Sequence, residues 1–480
     1  MRRLPLLLSL LLASGCAVGP DFERPAPPSS AASYAAKGES LPAQAALGQT
    51  IAGGWWRIFK SAALDAVMDE ALRQNRDWQA AQARLAEVQE QVRAAGGVLY
   101  PQLAARAGAT REKVDFTSYG LIFPSNTLNL YSVGATVSYA LDIFGHDRRL
   151  VEGVEAEGEA AAYRLQGAYL TLTGMVATQA LALASLDAQI ALVEQAIAAD
   201  GQRLELMRAA RHAGTLSDRE IAEMEGQAAA DGALLPPLRS ARANLRHMLA
   251  LLVGKTPAEW SPPSFDLAGF ALPEKIPLSL PSELVRRRPD ILAAEAELHA
   301  ASAAVGLAEA NRFPRLVLTA DITQWAKFPG QLWRDAATGA GVSGGLTAPL
   351  FEGGRLAAES RAAEQSYRAS LARYQQTVLQ SFAQVATLLQ SLTQDDEARR
   401  QTGLAAKAAA DSARFAEMRR DQGVLGMLPL LAARRQENLA KLAEIQSRTR
   451  SLSDSAELLL AMGGGGWEQA GASPQANKDE

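Results

Sequence analysis

The chain has 480 residues, 48 basic and 52 acidic side chains for a net charge of −4, 48% apolar residues and a single cysteine. That length allows two or three ordinary domains, and because Lys and Arg are spread rather than gathered, the charge offers no footprint for nucleic acid. One cysteine excludes a disulfide within the chain.

In chain order, the first element is an export signal. In MRRLPLLLSLLLASGC, Arg2 and Arg3 precede an apolar stretch from Leu4 to Leu12, and small residues lead to Cys16. The stretch is too short to cross a bilayer as a helix. Cys16 after Ala-Ser-Gly resembles the lipobox at which bacterial lipoproteins are cut and acylated, although Ala13 stands where leucine is more usual. Ala17 after it, rather than aspartate, favours the outer membrane by the same resemblance. Acylation would contribute about 0.8 kcal/mol of anchoring per buried CH₂. The alternative is an ordinary signal peptide with an incidental cysteine.

Beyond the signal no run of eighteen apolar residues occurs, so a chain that crosses a membrane must do so as a closed barrel. Four stretches alternate with a period of two: QLAARAGAT after Pro101, residues 131–142, RLVLTADIT after Pro314, and residues 341–350. In the second, Val133, Val137, Tyr139 and Leu141 share one face, and Ser132, Thr136 and Ser138 the other. That is the pattern of a wall between lipid and water, although a soluble hairpin alternates too. Four strands cannot close a barrel, because about eight are needed for the narrowest one. Spanning would therefore require several chains to pool their strands.

Helical periodicity fills the rest. Between residues 145 and 214 there is no proline, and Leu165, Tyr169, Leu172, Val176, Leu183, Leu186, Ile190, Val193 and Ile197 recur in steps of four and three, with Gln179 in the skipped slot. Tyr367, Leu371, Tyr374, Val378, Val385, Leu388 and Leu392 repeat the pattern around Ser381. Such spacing is a coiled-coil seam, and a helix of roughly 65 residues is about 100 Å long. Turns are expected at RHAGTLS, residues 211–217, and RDQGVLG, residues 420–426, where Gly214 and Gly423 suit helix ends. LLPPL at 234–238 should kink or end the first return helix.

The chain repeats itself. Pro101 and Pro314 are 213 residues apart, as are Asp77 and Asp290, and between these anchors Leu85, Val92 and Leu103 match Leu298, Val305 and Leu316 without a gap. Gly214 and Gly423 are 209 apart, so the repeat extends through the turns. The expected organisation is a signal at 1–15, a lipid-anchored extended segment at 16–60, a first repeat at 61–254, a proline-rich linker at 255–282, a second repeat at 283–462 and a disordered tail at 463–480.

Several stretches now add up to a family. CAVGPDFERP, GGWWRIF, YALDIFG, RRRPDILAAEAELHAA, RFPRL and LTAPLFEGGR, in this order and within a duplicated chain, resemble the outer membrane factors, the TolC-like and NodT-type efflux lipoproteins, over nearly the whole length after the signal. The resemblance implies a mainly α-helical fold with a membrane β-barrel: four strands per chain, a trimer with one twelve-stranded barrel, and a coiled-coil helical tunnel through the periplasm. It implies an outer-membrane exit duct in a Gram-negative bacterium, with no catalysis and no cofactor beyond the lipid on Cys16. Its partners would be two further copies, a periplasmic adaptor and, indirectly, an inner-membrane pump. The resemblance also assigns the periplasmic gate and adaptor-docking tips to Arg211, Gly214, Ser217, Asp218 and Glu220 in the first turn and Arg420, Asp421 and Gly423 in the second. The second turn departs from the family, with Leu425 and Leu428 where polar residues are common and Pro429 in the returning helix. Tip charges that are only solvated helix ends are the alternative. A non-conducting periplasmic coiled-coil lipoprotein and the exit of a type I protein secretion system are the competing functions.

Other motifs carry less. GAGVSG at 339–344 and GVSGG at 341–345 sit at a strand and open no helix, so neither a nucleotide loop nor a nucleophile elbow is expected. His146, His212, His247 and His299 show no close spacing and make no zinc set. EGVEAEGEAAA at 152–162 reads as a solvated helix face, with tunnel lining as the lesser alternative, and RRRPD as a helix start at Pro289. Trp55 and Trp56 are candidates for packing, and Trp325 and Trp333 are expected in the loop between the third and fourth strands.

Overall fold

The computed structural model describes residues 17–26, 34, 42, 45–49, 51, 53–114 and 126–465. The expected export signal at 1–15, Cys16 and the residues beyond 465 lie outside them. The elements run β1 (Ala45–Leu47), α1 (Ala62–Gln74), α2 (Arg76–Gly96), β2 (Gln102–Val114), β3 (Asn126–Leu141), α3 (His146–His212), α4 (Asp218–Ala233), α5 (Leu235–Leu252), β4 (Ile276–Leu278), α6 (Pro281–Leu284), α7 (Pro289–Ala310), β5 (Arg315–Ala326), β6 (Thr338–Thr347), α8 (Arg355–Asp421) and α9 (Met427–Ala461). Helix, two strands, long helix and return arm thus occur twice in the same order. Both long helices, α3 and α8, have 67 residues. The Pro236–Pro237 pair ends one helix and starts the next: α4 stops at Ala233 and α5 begins at Leu235, where the missing N–H groups cost nothing. Pro429 falls in the first turn of α9 for the same reason.

Two compact units divide the chain, each drawn from both halves of the sequence. The described parts of Met1–Pro25, Leu85–Ala161 and Ala293–Gln375 make one, and those of Ala26–Arg84, Ala162–Leu292 and Gln376–Glu480 the other.

The first unit holds an antiparallel sheet of order β2-β3-β5-β6. Its registers put Leu103 beside Val137, Val137 beside Ala320 and Ala320 beside Val342. Since neighbours share a face, one side carries these with Tyr139, Leu318, Ile322 and Leu346. The other carries Arg106, Ser132, Thr136, Ser138, Thr319, Asp321 and Thr323; at the far end of β2 and β3 the division reverses, with Arg111, Lys113, Thr127 and Asn129 on the first side and Leu128 and Leu130 on the second. The first three strands run longer than their alternation suggested, and β5 reaches Ala326; β6 keeps the expected length but runs from Thr338 to Thr347 rather than 341–350, because its partners Gln324 to Arg315 on β5 set its ends and Pro349 follows. Trp325 is therefore a strand residue opposite Ser132 rather than a loop residue, whereas Trp333 is in the loop and exposed. A strap from Ala17 to Pro25 crosses this unit, held by Arg149, which is buried and donates to Asp21 and Glu152 (both 2.7 Å) and to the carbonyls of Val18 (3.3 Å) and Gly19 (3.4 Å). Glu152 also meets His299 at 3.0 Å, and Phe22 stacks on that imidazole at 4.5 Å. Glu152 thus departs from the solvated face expected for its stretch, because the buried guanidinium next to it requires a carboxylate.

The second unit carries the large core. Trp55, Trp56, Phe59, Leu64, Met68, Trp78, Leu181, Phe270, Leu278, Leu392 and Leu452 are buried together, and the Trp55 indole donates to Thr173 at 3.2 Å. The seam positions Tyr169, Leu172, Val176, Leu183, Val378, Val385, Leu388 and Leu392 are buried as their spacing requires. The proline-rich stretch before α6 packs Phe265, Leu267 and Phe270 into the same core, where β4 pairs in parallel with β1. Arg288 of RRRPD bonds Asp290, Gln384 and the Ala461 carbonyl that ends α9, so it braces the helix start. Two helices, α3 and α7, contain a window long and apolar enough to cross a bilayer, which short apolar runs did not reveal; 50% and 56% of these windows are buried within the fold, as in core helices.

Candidate functional site: the hairpin turns and the strand wall

Both turns are built by the same hydrogen bonds. In the first, the Gly214 N–H reaches the Arg211 carbonyl (2.8 Å) and the Thr215 N–H the Ala210 carbonyl (3.0 Å); in the second, Gly423 reaches Arg420 (2.8 Å) and Val424 reaches Arg419 (2.9 Å). The closure places Gly214 and Gly423 at φ 78° and 71°, which an L side chain resists. The return arms begin differently. Ser217 caps α4, accepting from the Glu220 N–H, while the Glu220 carboxylate accepts from the Ser217 N–H and hydroxyl at 2.8 Å. These bonds, the backbone one foremost, hold the Glu220 carboxyl below its usual range. In α9 the cap position is Gly426, which has no side chain to offer.

The predicted tip charges come together in pairs. Arg211 meets Asp218 at 2.5 Å across the first turn, whereas Arg420 meets its own neighbour Asp421 at 2.5 Å. Between the arms, Arg208 of α3 binds Glu225 of α4 at 2.6 Å, and Glu417 of α8 accepts from Arg434 of α9 at 2.6 Å. Leu428 packs against a knot of Met207, Ile221 and Met224, which accounts for an apolar residue at this turn.

Deeper in the arms lie carboxyl pairs that the sequence reading missed. Asp200 of α3 is 2% exposed and faces Asp231 of α4. Burial, then the hydrogen bond and charge of Asp231, push the Asp200 carboxyl up to about 6. Burial opposes ionisation of Asp231 too, but Arg435 of α9 donates to it at 2.9 and 3.0 Å, and Gln227 at 2.9 Å, so its carboxyl lies below the usual range. In the second hairpin Asp395 of α8 faces Asp454 of α9, and burial with the Asp454 charge raises Asp395 to about 6. Each outgoing long helix therefore shares a proton-binding pair with its return arm.

The sheet is the other candidate site. On its apolar face Val342 is 87% and Leu103 73% exposed in the single chain, and the edge strands β2 and β6 have one neighbour each. A face of this kind requires a covering medium and the edges require partners. On the polar face, glycines lie beneath neighbouring side chains: a methyl on Gly134 would come within 2.6 Å of the Thr323 hydroxyl and one on Gly108 within 3.1 Å of the Ser132 hydroxyl. No cluster of three or more His, Cys, Asp or Glu suited to a metal occurs among the described residues.

Comparison with known proteins agrees with this architecture. The chain is 28% identical to the solvent efflux pump outer membrane protein SrpC of Pseudomonas putida, over 96% of this chain and 97% of that one. The outer-membrane channel OprN superposes with a TM-score of 0.84 at 27% identity, covering 94% of this chain and 99% of OprN. The open-state MtrE channel of Neisseria gonorrhoeae gives 0.78 at 26% identity, covering 94% and 98%. The family model described as outer membrane efflux protein matches residues 67–255 and 280–464, so both halves of the chain, with the long helices and the strands between them, belong to the outer membrane efflux protein family.

Proposed function

We propose that three copies pool their sheets into one twelve-stranded barrel in the outer membrane, forming the exit duct of a tripartite efflux system. The observation that carries this is the sheet β2-β3-β5-β6, apolar on one face and polar on the other from Leu103 to Ala109 and across the rows paired with it, with an unpaired strand at each edge. Lipid excludes open edges and about eight strands are the minimum for closure, so one chain is insufficient and three give an even, closable set. The polar face then lines the bore. The matched order of elements in the two halves supports reading 61–254 and 283–462 as copies of one unit joined through 255–282.

In this reading cargo is delivered at the hairpin turns by a periplasmic adaptor and an inner-membrane pump, and the chain conducts it without chemistry. Arg211, Asp218, Glu220, Arg420 and Asp421 are the charged groups of that end, Gly214 and Gly423 shape its turns, and Ser217 caps the first return arm. Acylation at Cys16 is consistent with Ala17 packing on Gly145, four residues past the end of β3, close to where the wall begins. Single-channel recording on purified protein, with native mass spectrometry, tests the proposal: a trimer giving discrete conductance steps is expected. A monomer whose strands are fully accessible to water-borne labels in the bilayer would end it.

A further inference from the structure

We propose that the polar face of the sheet carries a transit subsite for an aromatic organic cation, formed by the Trp325 indole over Gly339 and the Asp321 carboxylate beside Gly341. The site rests on the reading of that face as the inner wall of the duct.

Parity on β5 sets the two side chains together. Asp321, Thr323 and Trp325 alternate with Ile322 and Gln324, so the indole shares a face with the carboxylate and not with Leu318 and Ile322. A tryptophan serving as a lipid-interface anchor would need the opposite parity. On β6, Gly341 is the direct partner of Asp321, and Gly339 lies diagonally beneath the indole. A methyl built on Gly341 would stand 3.3 Å from Asp321 Oδ1, and one on Gly339 would run into the six-membered ring of Trp325. The two glycines are seats. They leave room for both side chains to approach the neighbouring strand where a Cβ would stand. Asp321 and Trp325 are four residues apart on β5, about 13 Å along the strand, but the indole reaches back over Gly339, the partner of Thr323, so its ring and the carboxylate meet β6 at glycines only two residues apart, about 7 Å.

The chemistry of the pair selects its ligand. Three atoms of the six-membered ring of the indole lie next to Gly339, and the residue is 46% exposed. The electron-rich ring face attracts cations and stacks on planar rings. The cross-strand neighbours of Asp321, Thr136 and Gly341, bring no charge to neutralise the carboxylate. Arg106 is the basic residue of this face near mid-strand, and it lies two strands away, opposite Gly134. A planar aromatic cation satisfies both halves of the site, whereas an aliphatic cation or an aromatic anion satisfies one.

The test uses ethidium as the probe, titrated by fluorescence against detergent-solubilised full-length trimer and applied as a blocker in single-channel recordings. Saturable binding and reversible block are expected, with tetraethylammonium at least ten-fold weaker. Trp325→Leu and Asp321→Asn should each weaken ethidium at least ten-fold while leaving the trimer intact. Gly339→Ala, which unseats the ring, should weaken it too, and Trp325→Phe should retain most of the binding, so Asp321→Asn and the Phe variant decide the matter if the Leu variant fails to assemble. Equal ethidium affinity in wild type and Asp321→Asn, or no saturable binding to the trimer, overturns the subsite. A trimer that conducts but ignores ethidium leaves the duct standing without the subsite; one that binds as stated but never conducts does the reverse.

Discussion

Arg435 donates two hydrogen bonds, 2.9 and 3.0 Å long, to the carboxylate of Asp231, tying the return arm of the second hairpin to that of the first. With Asp200 packed against the same carboxylate, the guanidinium is what allows one of the two acids to ionise there. Arg435→Gln should therefore destabilise the paired arms by about 3 kcal/mol, the lower end for a broken buried pair because Arg435 is partly exposed. Hydrogen exchange of the α4 amides measures the loss, and adding Asp231→Asn should recover part of it.

The carboxyl pairs also set a pH dependence. Asp200 and Asp395 hold their protons more tightly when folded, near 6, than the ordinary 3.8. Protonation thus contributes stability that is complete below about pH 4 and is lost as the pH rises through about 6. The helical melting temperature should fall by a few degrees between pH 4.5 and 7 on this account, over and above other groups. Circular dichroism of Asp200→Asn with Asp395→Asn should show that portion of the slope removed.

The two turns predict opposite outcomes at equivalent cap positions. Ser217→Ala loses a capping box and should cost about 1 kcal/mol, whereas Gly426→Ser supplies a missing cap and should gain a few tenths. Gly214→Ala and Gly423→Ala should each cost about 1–2 kcal/mol, because both glycines have positive φ. Chemical denaturation followed at the hairpins orders the four variants.

Arg149→Met should remove the donor that holds three oxygens of the strap at residues 17–25, those of Val18, Gly19 and Asp21. Cleavage by a glutamate-specific protease after Glu23 should then quicken at least several-fold, as read by mass spectrometry, while the helical circular dichroism is unchanged.

Much of this was legible because long-range order follows local period. The seams of α3 and α8 announced themselves by steps of three and four, and the strands by alternation after Pro101 and Pro314. The end of β5 was not legible, since Gln-Trp-Ala continues a strand only because Ser132 and Tyr131 wait across from it. The acid pairs did leave a trace. Asp200 follows Val193 and Ile197, and Asp395 follows Leu388 and Leu392, in the next seam slot, where a polar residue signals a buried partner. Which partner it meets depends on the register between arms, and the sequence does not state that register. Arg149 was opaque because nothing in its neighbourhood foretells a strap from 130 residues earlier.

The bridges Arg208–Glu225 and Glu417–Arg434 occupy equivalent places, 209 residues apart, with their signs exchanged. A chain made of two similar hairpins must avoid marrying the wrong arms while it folds. If α3 took α9 as its mate at this level, Arg208 would face Arg434; if α8 took α4, Glu417 would face Glu225. Each bridge is exposed and worth under about 1 kcal/mol, yet the inversion makes every mismatch repulsive and every proper union attractive. Twin hairpins with identical polarity would have no such means of telling sibling from self.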